Sequence, residues 1–312
     1  MSKDNEADSC PWVDTLSCCV SCGIAENDDI KLKKCNGCYL VKYCGIECQK
    51  THRKQHKREC KKRAAELRDE LLFKQPESSH LGDCPICCLP LSLDRSKSPA
   101  MCCCSKVVCN GCDFANQERE VKGGLPHACP FCRKTKPKTK EEADKLLMKR
   151  IEANDPFALR QEGSILLVKG DYGPAFDYLT KAADLGDIDA HYKLGTMYHL
   201  GEGVPKDEGK KKYHFEQAAI GGHPEGRHNV GCIECSNFNY ERAVKHWIIA
   251  ATLGYDHSIK PLMHAFKRGH INKDKLESTL RANKAAIDAT KSPQRESADQ
   301  NCTAGIWGLT KF

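Results

Sequence analysis

Apolar residues fall into a helical rhythm over most of the second half of this chain. Residues 141–153 carry Leu146, Leu147 and Ile151 at helical spacing and predict a short helix. Beyond it the pattern repeats. The pairs Ala182-Ala183, Ala218-Ala219 and Ala250-Ala251 recur at intervals of 36 and 32 residues, with Gly186, Gly222 and Gly254 after each pair at one offset. Upstream, Gly163, Gly195 and Gly231 recur at 32 and 36. A period of this length marks a helix–turn–helix repeat. Small alanines let paired helices approach, and a glycine ends each second helix in a left-handed turn. Residues 258–289 read as a fourth, degraded unit with a capping helix. In the first half, residues 51–73 contain neither Gly nor Pro and predict one more helix. The stretch 133–140 is basic, contains Pro137 and reads as a linker. From Lys291 the chain is polar and reads as a flexible tail, in which Ile306, Trp307, Leu309 and Phe312 form a candidate docking motif.

No apolar run approaches the roughly 18 residues a membrane helix needs. The polar, acidic start predicts no secretory leader. A protein of the cytoplasm, the nucleus or both is therefore expected, and 40% hydrophobic with 29% charged residues suits folded, soluble domains. Cysteine changes the picture: of 22, nineteen lie between Cys10 and Cys132. A disulfide framework would need an oxidising compartment. Pairs spaced C-x2-C with histidine nearby match metal-ligand spacing instead. The net charge of +7 resides wholly in residues 1–150, which hold 28 Lys+Arg against 21 Asp+Glu. Zinc ligands bind as thiolates, so four zinc ions on fifteen thiolates and one neutral imidazole would cancel that surplus. The basic balance is then weak support for a nucleic-acid partner. Locally, residues 50–63 hold eight Lys/Arg and one Glu. That run reads first as a solvated helix face and second as a nuclear-import or nucleic-acid patch.

The first cysteine-rich module runs Cys19-x2-Cys22, Cys35-x2-Cys38, Cys44-x3-Cys48 and His56-x3-Cys60. Zinc takes four tetrahedral N/S ligands, so eight imply two ions. His56 and Cys60, four apart, share one face of a helix. Cys18 is an alternative to Cys19, and His52 reads as a packing residue. With Tyr43 before Cys44 and Gln49 after Cys48, the module resembles a MYND finger. The resemblance implies interleaved sites, Cys19, Cys22, Cys44 and Cys48 on one zinc and Cys35, Cys38, His56 and Cys60 on the other. It also implies a protein-binding module, often for short proline-containing peptides, with Gln49 matching a peptide-contacting glutamine. Arg53 stands where the family often has Trp, so that aromatic platform is missing here.

The second module runs Cys84-Pro85-Ile86-Cys87, then Cys102-Cys103-Cys104, Cys109-x2-Cys112 and Cys129-Pro130-Phe131-Cys132-Arg133. It resembles a RING finger, whose two zincs sit in a cross-brace. The resemblance places Cys84, Cys87, Cys109 and Cys112 at one site, and Cys129 and Cys132 with two of the triplet at the other. Cys103 and Cys104 are favoured there, with Cys102 as substitute. The departure from the family is Lys106, which occupies the usual His place. Cys88 reads as a spare core cysteine. Many RING fingers are ubiquitin ligases that do no covalent chemistry and act by positioning. In that role Ile86 would pack on a ubiquitin-conjugating enzyme, and Arg133 would bridge that enzyme and ubiquitin.

The best repeat is Ala190-x3-Leu194-Gly195-x2-Tyr198-x2-Gly201-x-Gly203-Val204-x2-Asp207. It resembles the Sel-one-like repeat, a tetratricopeptide relative, and implies a protein-binding scaffold with a concave face. Cys232 and Cys235 form a C-x2-C without a second pair and read as packed free thiols. Tyr172, Tyr178, Tyr192, Tyr198 and Trp247 read as helix-packing residues.

The expected fold is small zinc-stabilised α+β modules followed by an all-α helical-repeat solenoid. Its expected parts are a flexible start (1–18), the MYND-type finger (19–60), a helical linker (61–82), the RING-type variant (83–134), a linker and helix (135–154), the repeats (155–289) and the tail (290–312). The expected function is that of a zinc-binding, protein-interaction protein. In the leading reading it is a RING-type ubiquitin ligase that recruits substrate through its repeats and MYND finger. The alternatives are a non-catalytic adaptor, and a nucleic-acid-associated regulator acting through the basic helix. The expected partners are proteins, with no membrane.

Overall fold

The computed structural model describes residues 18–303, with side chains through Asn301. These residues form twelve α-helices and one two-stranded sheet. The chain divides after Lys74 into two compact units. Among the described residues no helix is long and apolar enough to cross a membrane.

In the first unit, β1 (Lys33–Lys34) pairs antiparallel with β2 (Lys42–Tyr43), and α1 (Ile46–Leu72) follows. The helix starts earlier than its sequence suggests. Gly45 is fully extended, and the chain turns into the helix directly after it, which puts Cys48 in the first turn. Among the described residues of this unit the clustered core is Cys19, Leu32, Cys35, Cys38 and Tyr43, with Leu72 buried outside that cluster at the end of α1. A core this small rarely holds a fold alone and needs a staple such as a metal.

The second unit opens on the second module. Its core joins Leu91, Met101 and Val108 to Cys84, Cys109, Cys112 and Cys129. Its helix is α2 (Asn110–Lys122), capped by Cys109 Sγ, which accepts from Cys112 N–H at 3.4 Å. After α3 (Lys140–Glu152) come three helix pairs: α4 (Pro156–Lys169) with α5 (Tyr172–Asp184), α6 (Ile188–Leu200) with α7 (Glu208–Ile220), and α8 (Pro224–Ser236) with α9 (Tyr240–Thr252). α10 (Ile259–Lys267) and α11 (Lys273–Ala289) pack on α9 and cover its apolar cluster around Trp247. The recurring glycines have a packing reason. A Cβ on Gly163, Gly195 or Gly231 would lie 2.8, 2.7 or 2.6 Å from Leu179, Phe215 or Trp247 respectively. Each glycine is thus the seat for the bulky residue of its partner helix. The turn glycines Gly186, Gly222 and Gly254 have φ of +89, +84 and +90°, the left-handed conformation expected of them.

Two expectations need correction. Residues 73–82 do not continue the helix, which ends at Leu72 shortly before Pro76. From Gln75 the chain lies on the solenoid instead: His80 N–H donates to Gly222 O at 3.0 Å, and Thr252 Oγ1 to Gln75 Oε1 at 3.2 Å. Nor is residue 290 the start of a flexible tail. α12 (Pro293–Thr303) packs against α2, with Arg295 and Ala298 buried. The helix lacks an apolar stripe because its anchors are polar. Ile306, Trp307, Leu309 and Phe312 lie outside the described residues.

Candidate metal centres

Four turns of one shape build most of the sites. They begin at Cys19, Cys84, Met101 and Cys129. In each, the first residue donates its N–H to the carbonyl five residues on, and the fifth residue donates back to the first, over 2.8–3.0 Å. An isolated antiparallel bridge closes each turn. The fifth residue is left-handed: Gly23, Cys88, Ser105 and Arg133. For a non-glycine residue that conformation costs roughly 1–2 kcal/mol, so these turns depend on whatever closes them. Cys35 opens a similar turn with one residue more, ending on the left-handed Tyr39.

The turn at Met101 explains the cysteine triplet. Buried Met101 fills the place that cysteine fills in the other turns, and Cys104 fills the second cysteine's place. Cys103 supplies the thiol that Met101 cannot, and Cys102 stays outside the cluster. Lys106 is exposed. Cys88, expected in the core, is exposed because its left-handed backbone turns it outward.

Sixteen side chains gather into four clusters. These are Cys19, Cys22, Cys44 and Cys48; Cys35, Cys38, His56 and Cys60; Cys84, Cys87, Cys109 and Cys112; and Cys103, Cys104, Cys129 and Cys132. In each module the first and third pairs share one cluster and the second and fourth share the other. Zinc–thiolate bonds of about 2.3 Å set the edge of a tetrahedron near 3.8 Å. The sulfurs fit that edge: Cys22 to Cys44 is 3.6 Å, Cys35 to Cys60 3.7 Å, Cys87 to Cys109 3.7 Å and Cys104 to Cys129 3.9 Å. Cys38 Sγ stands 3.1 Å from His56 Nε2. A disulfide needs about 2.05 Å, and these cysteines are free. The four clusters can hold four zinc ions.

Electrostatics point the same way. Burial opposes ionisation of Cys19, yet the backbone N–H groups of Cys44, Cys22 and Ser21 outweigh it and bring the thiol down to about 6. Cys35 falls to about 6, with N–H donation from Gly37 and Cys38 overcoming burial. Cys87 falls to about 7 against burial, helped by Leu89 N–H and Arg295. Their neighbours resist: Cys44 is pushed up to about 12, chiefly by its contacts with Cys48 and Cys22, and Cys60 to about 12 by burial and Cys35. One thiolate forms readily and the next is repelled by it. A bound dication removes that repulsion.

The surroundings hold the clustered side chains in place. His52 stacks on His56 with centroids 5.5 Å apart, and its Nδ1 is 3.1 Å from the buried Tyr43 hydroxyl. In the second module Glu120, 1% exposed, receives Asn116 Nδ2, Ala128 N–H and His127, tying α2 to the last turn. Arg133 donates to Asn116 Oδ1 at 2.9 Å. Ile86 is 42% exposed beside its cluster.

The spacing rules do not reveal what locks this module to the solenoid. Arg295 of α12 donates to Pro90 O (2.6 Å), Thr290 O (2.7 Å), Leu89 O (3.1 Å) and Cys87 Sγ (3.3 Å). Asp299 pairs with Lys97 at 2.8 Å and accepts from Asn110. Arg150 donates to Ser105 Oγ at 2.5 Å. The third lock centres on Asp189. His80 Nε2 (3.0 Å), His223 Nε2 (3.2 Å) and Arg95 (2.5 Å) meet its Oδ1, and Arg160 approaches Oδ2 at 3.5 Å. Burial raises the Asp189 carboxyl, but hydrogen bonds from His223 and His80 prevail and hold it far below the usual range. His80, Asp189 and His223 are close enough to suggest a fifth metal site, but their chemistry does not fit one. His223 Nδ1 accepts from Gly226 N–H at 3.2 Å, so Nε2 carries the proton and has no lone pair for an ion. Two guanidinium groups already face the carboxylate. Sequence separation hid this hub, since His80 and Asp189 are 109 residues apart.

Comparison with known proteins agrees with this architecture. Residues 19–60 match the family model of the MYND finger, and residues 159–187, 188–223 and 236–255 match the Sel1 repeat. The chain is 32% identical over 98 residues to DAP3-binding cell death enhancer 1 of Rattus norvegicus, covering 31% of this chain and 19% of that protein. It is 45% identical over 51 residues to an uncharacterized Sel1-like repeat-containing protein of Schizosaccharomyces pombe, covering 15% of this chain and 8% of that one. A Sel1 repeat protein from Oxalobacter formigenes superposes with a TM-score of 0.42 at 21% identity, over 62% of this chain and 86% of that chain. The chain thus spans less than a fifth of the curated relatives it matches. It combines a zinc-binding MYND finger with Sel1 repeats, the equipment of a protein-interaction protein.

Proposed function

We propose that residues 84–133 act as a RING-type ubiquitin ligase module, with all sixteen clustered residues as zinc ligands, and that the solenoid and MYND finger choose what is modified. The observation that carries this reading is the cross-braced pairing of Cys84, Cys87, Cys109 and Cys112 against Cys103, Cys104, Cys129 and Cys132, with α2 between them. Ile86, Val121, Leu125 and Phe131 are exposed large apolar residues of the same module and would form the face for a conjugating enzyme. Rigidity supports the reading as well. Asp189, Arg150 and Arg295 fix the module on the solenoid, and positioning is the only catalytic device such a module has. The first unit exposes Val20, Ile24, Tyr39, Leu40 and Ile46, a set of apolar side chains suited to a protein partner.

The test combines full-length, zinc-loaded protein with ubiquitin-activating enzyme, a panel of conjugating enzymes, ubiquitin and ATP. Chain formation is expected, and Ile86→Ala should abolish it. Absence of chains with every conjugating enzyme would refute ligase activity. The competing reading is a non-catalytic adaptor. Arg133 favours it, because its guanidinium is bound to Asn116 within the module rather than presented to a partner. Under that reading Asn116→Ala, which frees Arg133, still gives no chains.

A further inference from the structure

We propose that the hollow bounded by α8, α9 and α10 binds an acidic peptide segment of a partner protein, one carrying an aromatic or aliphatic anchor. This rests on the reading of the chain as a protein-interaction protein and supplies the chemistry of the partner. The hollow encloses about 500 Å³. Its walls bring together the cations Lys260 and Arg268, the imidazoles of His257 and His264, and the rings of Tyr240 and Trp247. Among the described residues no carboxylate lines it. The contrast with the Asp189 hollow is direct: there Arg95 and Arg160 face a buried acid. Neither Lys260 nor Arg268 forms an ion pair among the described residues. A carboxylate entering the hollow would gain charge-assisted hydrogen bonds, and an apolar side chain beside it would rest on the indole and phenol rings.

The floor is preset. His228 Nδ1 is 2.9 Å from Ser258 Oγ and its Nε2 is 3.4 Å from Cys232 Sγ, so the ring is held from both sides. Cys232 was expected to be a packed thiol. It is exposed instead, and it is also the point where the hollow meets a second one of about 430 Å³. That second hollow is lined by Asn229 and Asn237, whose amides donate and accept as a peptide main chain requires, and by Thr196 and Ser236, whose hydroxyls donate to Tyr192 O and Cys232 O and are left to accept. The occupant is therefore elongated, with its acidic end by Lys260 and Arg268 and its backbone along α8. Two permanent cations are few for a nucleic-acid strand, whose affinity scales with the phosphates neutralised.

The experiment uses the full chain with Trp12→Phe and Trp307→Phe, which leaves Trp247 as the sole tryptophan. The probe is a fluorescein-labelled decapeptide of glutamates with two phenylalanines. Controls carry lysine for glutamate or serine for phenylalanine, and a single-stranded oligonucleotide is the third competitor. Anisotropy should show saturable binding of the acidic probe, at least about tenfold tighter than either control peptide, with a matching change in Trp247 emission. Lys260→Glu with Arg268→Glu should weaken it by at least about tenfold, and the milder Lys260→Gln with Arg268→Gln should weaken it too. Equal binding of the lysine peptide overturns the proposal, as do unaltered binding by the glutamine variant, saturation without a Trp247 response, or tighter binding of the oligonucleotide. Peptide binding without ubiquitin-chain formation removes the ligase reading and leaves this one standing. Chain formation without peptide binding does the reverse.

Discussion

Arg295 shows how much a single residue can hold. Its guanidinium spans two carbonyls of the second module, one carbonyl of its own chain end and the sulfur of Cys87. Gly111 opposite has no side chain because a Cβ would meet Arg295 Cα and N at 3.0 Å. Replacing Arg295 with Ala removes this donor from Pro90 O and Thr290 O, while Leu89 O keeps the N–H of Cys84. The cost should be about 2–4 kcal/mol, taken from the docking of α12 and from the neighbouring cluster. Hydrogen exchange over residues 293–303 and the rate of zinc release to a chelator should both rise in Arg295→Ala. Protection unchanged at α12 would show that the helix docks without this residue. The clustered cysteines were legible in the sequence because tetrahedral coordination demands a local spacing that they match. Arg295, Asp189 and the role of Met101 were not, since each depends on residues brought together by folding. Nothing in the sequence marks the Met101 turn, because its left-handed fifth residue is Ser105 rather than glycine, as it is Cys88 and Arg133 in two of the other turns.

At the scale of elements, the solenoid was readable because its repeat is built from size. Gly163, Gly195 and Gly231 recur because Leu179, Phe215 and Trp247 recur against them, and small next to large leaves a trace in the sequence. α12 left none, because its contacts are ion pairs and hydrogen bonds without an apolar stripe. The helical linker expected over 61–82 holds only to Leu72 for a similar reason, since residues 75–82 dock through main-chain groups and the side chains of Gln75 and His80. The packing reason for the glycines can be tested at the second pair. Gly195→Ala sets a Cβ 2.7 Å from the Phe215 ring and should cost about 1–3 kcal/mol by overpacking. Phe215→Leu alone should also destabilise. Combined, the two should cost less than the sum of the singles, since the smaller residue makes room. Urea midpoints of the four proteins measure this, and strict additivity would deny the contact.

The whole molecule holds two kinds of stability that separate under metal removal and acid. Apparent binding of about 10–16 kcal/mol per structural zinc exceeds or rivals the net stability of a domain. Chelation should therefore unfold residues 19–60 and 84–132 and release α12, while α3 to α11 stay helical; circular dichroism with hydrogen exchange would read both, and loss of all helix together would contradict it. Acid acts on the solenoid itself. Burial, with the charge of Arg227 adding to it, holds His246 down to about 3, and burial with His191 beside it holds His214 down to about 4. Burial also lowers His191, His223 and His228. Unfolded histidine titrates near 6.5. Between that value and the native one, the unfolded chain binds a proton that the folded chain refuses, so stability falls as pH falls. For His246, fully buried, the loss at pH 5 should be about 2 kcal/mol. Chelated protein isolates this effect from zinc release. Its Trp247-monitored urea midpoint should drop steadily from pH 7 to 5, and His214→Gln should make the slope shallower. A midpoint independent of pH would mean that these imidazoles take up protons in the folded chain as readily as in the unfolded one, which burial of His246, reinforced by the charge of Arg227 beside it, opposes.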